Sequence, residues 1–265
     1  MFMFWEEKRM KTFWATARMC LVEKSYFGLG NLIGEYLLRT VGLMVMLMVW
    51  RSLALQGADM QGLSMNQLMV YTILTTVLRP LLDVRTPASD WLHDGTVLSL
   101  YLRPAPVLSQ LAAYTVGGWC LPVAIMTLPG LLTGLICGVD FRPASLLFLP
   151  SLVLSVAEGF AVDFLFACVL IRLRNLSWVM ECLRTALCAL LTGAVIPFAA
   201  LPWGIGRFLA LTPLGTLAGA APAIYVGLES PGPILLAQAC WTVLLWPLAV
   251  WRFRRAREKM ISYGG

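Results

Sequence analysis

Residues 31–55 read NLIGEYLLRTVGLMVMLMVWRSLAL, with one acid and two arginines in 25 positions. A helix needs roughly 20 mostly apolar residues to cross a bilayer, and this stretch supplies them. Its charges can be accommodated. Glu35 and Arg39 stand i,i+4 with the acid first, the favourable order for a helical pair. Arg51 lies about 18 Å further along the helix, at 1.5 Å per residue, near the far interface.

Five further stretches share this character, at about 64–82, 107–137, 144–171, 177–200 and 233–252. The whole chain agrees with them. Of its 265 residues 59% are hydrophobic and 13% charged, where a soluble globule carries about 25% charged residues. Between the fifth and sixth stretches, LPWGIGRFLALTPLGTLAGAAPAIYVG (201–227) is apolar but broken by Pro202, Pro213 and Pro222. It predicts short, half-inserted helices covered by other protein, not a seventh span. The expectation is an all-α integral membrane protein with six transmembrane helices, forming one transmembrane domain over 1–265. It comprises an amphipathic cytoplasmic helix over 1–27, spans within 31–252 and a basic cytoplasmic tail over 253–265.

Basic residues fix the expected orientation. Sixteen of the Lys and Arg fall on one side of this six-span arrangement, against only Arg142 and Arg207 on the other. The positive-inside rule then puts both ends in the cytoplasm. The net charge of +6 is accounted for by orientation and by anionic lipid heads, and no nucleic-acid partner is implied. The first 24 residues carry Glu6 and Glu7 and lack the apolar core of a secretory signal. Met10, Phe13, Trp14, Ala17 and Leu21 instead recur at helical spacing. They predict a helix along the inner membrane face, serving as an anchor or in partner docking.

Several chemistries lack their residues. No G-x-x-x-x-G-K-[ST] loop is present to cradle a nucleotide phosphate. His93 is the sole histidine, so two-histidine metal sites are excluded. No G-x-S-x-G elbow occurs, and the acids are dispersed. The seven cysteines include no C-x-x-C and mostly fall inside spans, where a thiol behaves as a small hydrophobe. Neither disulfides nor metal are expected, and no catalytic, cofactor-binding or metal-binding residue is assigned.

Glu158 and Asp163 lie inside the fourth span. A charge at the bilayer centre costs about 2.5–3.5 kcal/mol on insertion scales, so this helix should face protein or water. The two acids stand about 140° apart around the helix, at 3.6 residues per turn, and one pocket need not hold both. Two roles stay open: a hydrogen bond to a neighbouring helix, or a place on a transport path. Glu181 and Arg184 are predicted to pair i,i+3. Gly130, Gly134 and Gly138, like Gly30 and Gly34, form G-x-x-x-G spacings that permit close helix contact, here within one subunit.

One segment interrupts the apolar pattern: WLHDGTVLSLYLRPAP, residues 91–106. Thr86 can cap a helix, with Pro87 at its first position and Asp90 in its first turn. Trp91, Leu98 and Leu102 then share a face, with Asp94 and Gly95 between them, and Arg103-Pro104 ends the helix. The reading is a short amphipathic cytoplasmic helix tied to membrane spans at both ends. It has the shape to enter a groove on a soluble partner.

Here the chain resembles the integral-membrane subunit of ABC type-2 exporters, in the branch of six-span bacterial permeases. The resemblance rests on the order of elements, on HDGTVLSLYLRP (93–104), and on ALTPLGTLAGAAPAIYVG (210–227) with Pro213, Pro222, Tyr225 and Gly227 as an external turn. The family often has Phe after the first of these prolines, where this chain has Leu214. The resemblance implies a permease of the bacterial inner membrane that forms the translocation path. A separate cytoplasmic ATPase in two copies would bind ATP and Mg, and a second permease, identical or related, would complete the path. It implies ATPase coupling through Trp91, Asp94, Gly95, Leu98, Arg103 and Pro104, and a possible path past Glu158 and Asp163. Two other classes stay open: a substrate-capture subunit of an energy-coupled importer, and a membrane-embedded lipid-modifying enzyme. The enzyme would need Glu158 and Asp163 to converge with a third polar group.

Overall fold

The computed structural model describes residues 2–27, 29–57, 62–93, 96–103, 105–170, 177–201 and 204–261, and among them every regular element is helical. In chain order these are α1 (Phe2–Phe27), α2 (Leu29–Leu55), α3 (Met65–Val77), α4 (Arg79–Leu82), α5 (Ala88–His93), α6 (Val97–Leu100), α7 (Val107–Ile136), α8 (Phe148–Leu170) and α9 (Ser177–Leu191). A 3-10 turn (Phe198–Ala200), α10 (Ile205–Ala210), α11 (Gly215–Ala218), α12 (Ala220–Tyr225) and α13 (Pro231–Ile261) follow.

Among the described residues four helices are long and apolar enough to cross a membrane, at Leu32–Leu55, Val107–Ile136, Phe148–Val169 and Pro231–Arg255. They make this a multi-pass membrane protein. The helices at the second and fifth predicted spans are shorter than expected, α3 with 13 residues and α9 with 15. Local chemistry ends them. α3 starts at a capping box, in which the Ser64 hydroxyl accepts from the Gln67 amide and the Gln67 side chain accepts from the Ser64 amide. It gives way to the four-residue α4, which carries Pro80 in its first turn. α9 stops before Gly193, whose φ of +69° suits the residue after a helix. The Tyr71 hydroxyl then holds the Gly193 carbonyl at 2.6 Å. The predicted short helices over 201–227 are present as α10, α11 and α12, and the last two are almost wholly buried.

The helices sort into two ends. At one end the start of α7, α5, α6, the second half of α8 and the last third of α13 share a core of Ala88, Val97, Leu100, Val107, Phe164 and Phe253. Where this end meets water, burying a side chain of this size stabilises by about 1.5–3 kcal/mol. At the other end Asn66 and Asp140 exchange hydrogen bonds at 2.8 and 3.1 Å, and the Ala144 amide donates to the Tyr225 carbonyl at 2.7 Å. Arg85, Arg103, Arg252 and Arg254 lie at the first end, and Arg142 at the second.

α1 departs from the expected free-lying helix. It packs along the first half of α7, burying Ala17 and Cys20. Gly117 makes this possible, because a Cβ there would overlap the Ala17 carbonyl. Trp14 remains 60% exposed on the flank. The glycines of α7 also work within the chain. A Cβ at Gly130 would lie 2.7 Å from Val77, and Gly134 sits against Phe141 and Ile73. With little hydrophobic drive between helices in lipid, such close backbone contacts carry association.

Candidate functional site

The segment 83–106 is fastened at both ends. At its start, Asp163 of α8 accepts from the Thr86 amide at 3.0 Å and from the Thr86 hydroxyl at 2.5 Å. The same hydroxyl accepts from the Ala88 amide at 3.2 Å, so Thr86 caps α5 as its sequence position implied. The second Asp163 oxygen accepts from Arg184 of α9. Arg184 also donates to the Val84 carbonyl at 2.6 Å and stands 3.8 Å from Asp83. At the segment's end, the Gln110 side-chain amide of α7 donates to the carbonyls of Leu100, at 3.0 Å, and Ala105, at 2.7 Å.

Between these anchors the expected single helix is two, α5 and α6. The sequence separating them carries Asp and Gly, which cost helix stability, Gly by about 1 kcal/mol. Trp91 does not share an exposed face with Leu102. Its ring meets Tyr114 of α7 edge-on, with centroids 5.0 Å apart, while Leu102 is 89% exposed beside exposed Arg103. Asp94, Gly95, Pro104 and the side chain of Leu98 lie outside the described residues.

The pairing expected between Glu181 and Arg184 is replaced. Glu181 pairs with Arg85, which also bonds Asp83 at 3.0 Å, while Arg184 turns inward to Asp163. Asp163 is fully buried, and a buried carboxylate is stabilised far more by a buried cation than a surface carboxylate is by an exposed one. Glu35 and Arg39 pair as expected, at 2.5 Å.

Glu158 belongs to a second network. Its carboxyl oxygens both stand 3.0 Å from the Thr216 hydroxyl of α11, with no cation in contact among the described residues. Gln238 of α13 completes the cluster. It donates to Ser155 at 2.9 Å and to the Thr216 carbonyl at 3.0 Å, and accepts from the Ser151 hydroxyl at 2.9 Å. Glu158, Thr216 and Gln238 are all fully buried. Sequence reading missed Gln238, although an amide in an otherwise apolar span was a visible signal. It also missed Thr216, which nothing in the sequence marked.

The external-turn residues also find partners. The Tyr225 hydroxyl donates to the Phe141 carbonyl, and its ring meets Phe148 edge-on at 4.9 Å. Gly227 takes a φ of +74°, and its α-carbon faces Ala144 closely. Pro222 is buried in α12, and Pro213 precedes α11 with its carbonyl near Thr216.

A cavity of about 360 Å³ opens between α2, α3, α4, α8, α9 and α11. Arg39, Arg79, Arg85 and Arg184 line it together with Asp83. Among the described residues no group of three or more His, Cys, Asp or Glu could hold a metal ion.

Comparison with known proteins gives no match to any family model, curated protein or solved structure.

Proposed function

We propose that this chain is the permease subunit of an ATP-driven exporter in a bacterial inner membrane. It has six spans, with α3–α4 and α9 plus its irregular extension as the two short ones. A separate ATPase supplies ATP hydrolysis, and a second permease completes the path. The observation that carries the reading is the double anchoring of segment 83–106. Through Asp163, Thr86 at the head of α5 is joined to α8 and, by Arg184, to α9. A push on the exposed Leu102–Arg103 corner therefore passes into two membrane helices and α7. Alternating access needs a partner's closure to favour one arrangement of the spans, and this linkage suits that task. The many arginines at the same end support a cytoplasmic orientation.

Glu158 and Asp163 lie in separate networks. This weighs against the enzyme reading, which needs them to converge. The test is purification of the chain expressed from its native locus. Co-elution of an ATPase, with hydrolysis that changes when the permease is present, supports the reading. A chain that elutes alone and turns over a lipid substrate would overturn it.

A further inference from the structure

The cavity between α2, α4, α9 and α11 has a charge pattern that the coupling role does not use. Three of its four arginines have an acid partner within the chain. Arg39 bonds Glu35, Arg85 bonds Asp83 and Glu181, and Arg184 bonds Asp163. Arg79 has no acceptor within hydrogen-bond distance among the described residues, and the one acid on the wall, Asp83, is held by Arg85 and Arg184. The wall thus carries one uncompensated guanidinium. Thr185 adds a donor: its oxygen accepts from Arg85 at 3.3 Å, which leaves the hydroxyl proton to point elsewhere. The rest of the wall is mostly apolar, with Leu43, Met46, Val195 and Leu217. Its volume of about 360 Å³ falls in the range of about 300–1,000 Å³ typical of small-molecule sites.

We propose that this cavity binds an anionic amphiphile, an alkyl or acyl chain bearing a phosphate or carboxylate head, with the head on Arg79. A guanidinium presents paired donors that fit either head group, and charge-assisted hydrogen bonds are the strong ones. A cationic ligand would meet an excess positive charge with no free acid. A bare inorganic anion would leave the apolar wall unused. The binding claim stands by itself; that the ligand is exported cargo rests on the exporter reading.

The test uses the purified chain without any ATPase, in phosphatidylcholine nanodiscs, with radiolabelled dodecyl phosphate as probe. Saturable binding at one site per chain is expected, at least tenfold weaker in Arg79→Gln and partly restored in Arg79→Lys. Gly42 offers a second variant, since it lines the cavity and a Cβ there meets nothing within 4 Å. Gly42→Leu should fill the space and weaken binding with Arg79 intact. Phosphatidic acid added to the disc separates the sources: competition assigns the site to a membrane lipid, and none assigns it to a single-chain solute. Equal binding by Arg79→Gln, equal binding of dodecyltrimethylammonium, or equal binding of inorganic phosphate alone overturns the proposal. ATPase co-elution is measured separately, so a failure here leaves the exporter reading standing.

Discussion

Asp163 and Thr86, 77 positions apart, meet through two hydrogen bonds, and the third partner of the contact is Arg184. One buried carboxylate thus serves as the acceptor for a helix start, a hydroxyl and a guanidinium. Removing one partner of a buried ion pair strands the other, at a cost of about 3–5 kcal/mol. Asp163→Asn should therefore sharply lower the thermal midpoint of the purified chain. Thr86→Val, which removes a neutral donor, should cost about 1–3 kcal/mol. The double variant Asp163→Asn, Arg184→Met should recover much of the single variant's loss. A double variant no better than Asp163→Asn alone would show that the pair is not the stabilising unit.

Glu158 offers the contrast. Among the described residues it has no cation in contact, and its partner is the neutral Thr216 hydroxyl. Glu158→Gln keeps the shape and an acceptor oxygen, so the thermal midpoint should stay close to that of the parent chain. Gln238→Leu should do more damage although it removes no ionisable group. It leaves the buried Ser155 oxygen without its donor and the buried Ser151 hydroxyl without its acceptor, at about 1–3 kcal/mol. A thermal melt of both variants in one detergent checks the order. Gln238→Leu more stable than Glu158→Gln would contradict it.

The contrast between these acids marks the limit of what was legible in the sequence. Periodicity and charge placed the long spans, the basic end, the Thr86 cap and the Gly130/Gly134 contacts, because each depends on residues a few positions apart. The partner of Arg184 was misread for the same reason. Glu181 is its neighbour along the helix, but Asp163 is buried and reached only across the fold. The stopping points of α3 and α9 depend on Pro80 and on Gly193 held by Tyr71. The second of these contacts is long-range and has no local signature. In segment 83–106, helical spacing allows Trp91 a partner-facing surface. Its contact with Tyr114 could be seen only once α7 was in place.

α1 docks on α7 over Cys20, which is fully buried, and burial pushes its thiol above the usual range despite nearby Lys24. The thiolate is the reactive form. In a variant with Cys20 as the lone cysteine, maleimide should therefore react more slowly at pH 8 than with an exposed thiol. A thiol whose pKa is raised by folding supports docking below its ordinary pKa, and that support fades as pH climbs through the raised value. Labelling should thus accelerate with pH more steeply than for a free thiol. Gly117→Val, which forces a side chain into the Ala17 backbone, should release α1 and speed labelling at every pH. Unchanged labelling in Gly117→Val would mean that α1 does not depend on this contact.

Orientation is open to direct measurement. Asp140 and Glu229 belong to the end where Asn66 and Tyr225 fasten the loops, Arg18 lies on α1 along the first half of α7, and Arg254 follows Phe253 in the core of the opposite end. Single cysteines at Asp140 and Glu229, introduced into a cysteine-free background, should be labelled from outside intact cells by an impermeant thiol reagent. Those at Arg18 and Arg254 should react only after permeabilisation. The reverse pattern would turn the molecule over and move the doubly anchored segment away from any cytoplasmic ATPase.

The sharpest test of coupling lies at the corner between α6 and α7. Leu102 is 89% exposed, Arg103 is exposed beside it, and the Arg103 side chain has no ion pair among the described residues. Trp91 is half-buried against Tyr114 and helps hold α5 to α7. The two groups should therefore separate cleanly. Leu102→Asp and Arg103→Glu should leave the thermal midpoint of the permease unchanged, because surface substitutions usually shift stability by no more than about 0.5 kcal/mol. They should nonetheless strip the ATPase from the purified complex, or leave it hydrolysing ATP without transport. Trp91→Ala should behave in the opposite way. Truncating a well-packed Trp costs about 3–5 kcal/mol, somewhat less at a half-buried position, so the loss should first appear as instability. Thr86→Val should show both defects, since it weakens the fold and loosens the link from α5 to α8 and α9, leaving only the backbone amide on Asp163. If Leu102→Asp and Arg103→Glu retain the ATPase at parental stoichiometry and transport normally, segment 83–106 is a solvated connector and the partner docks elsewhere.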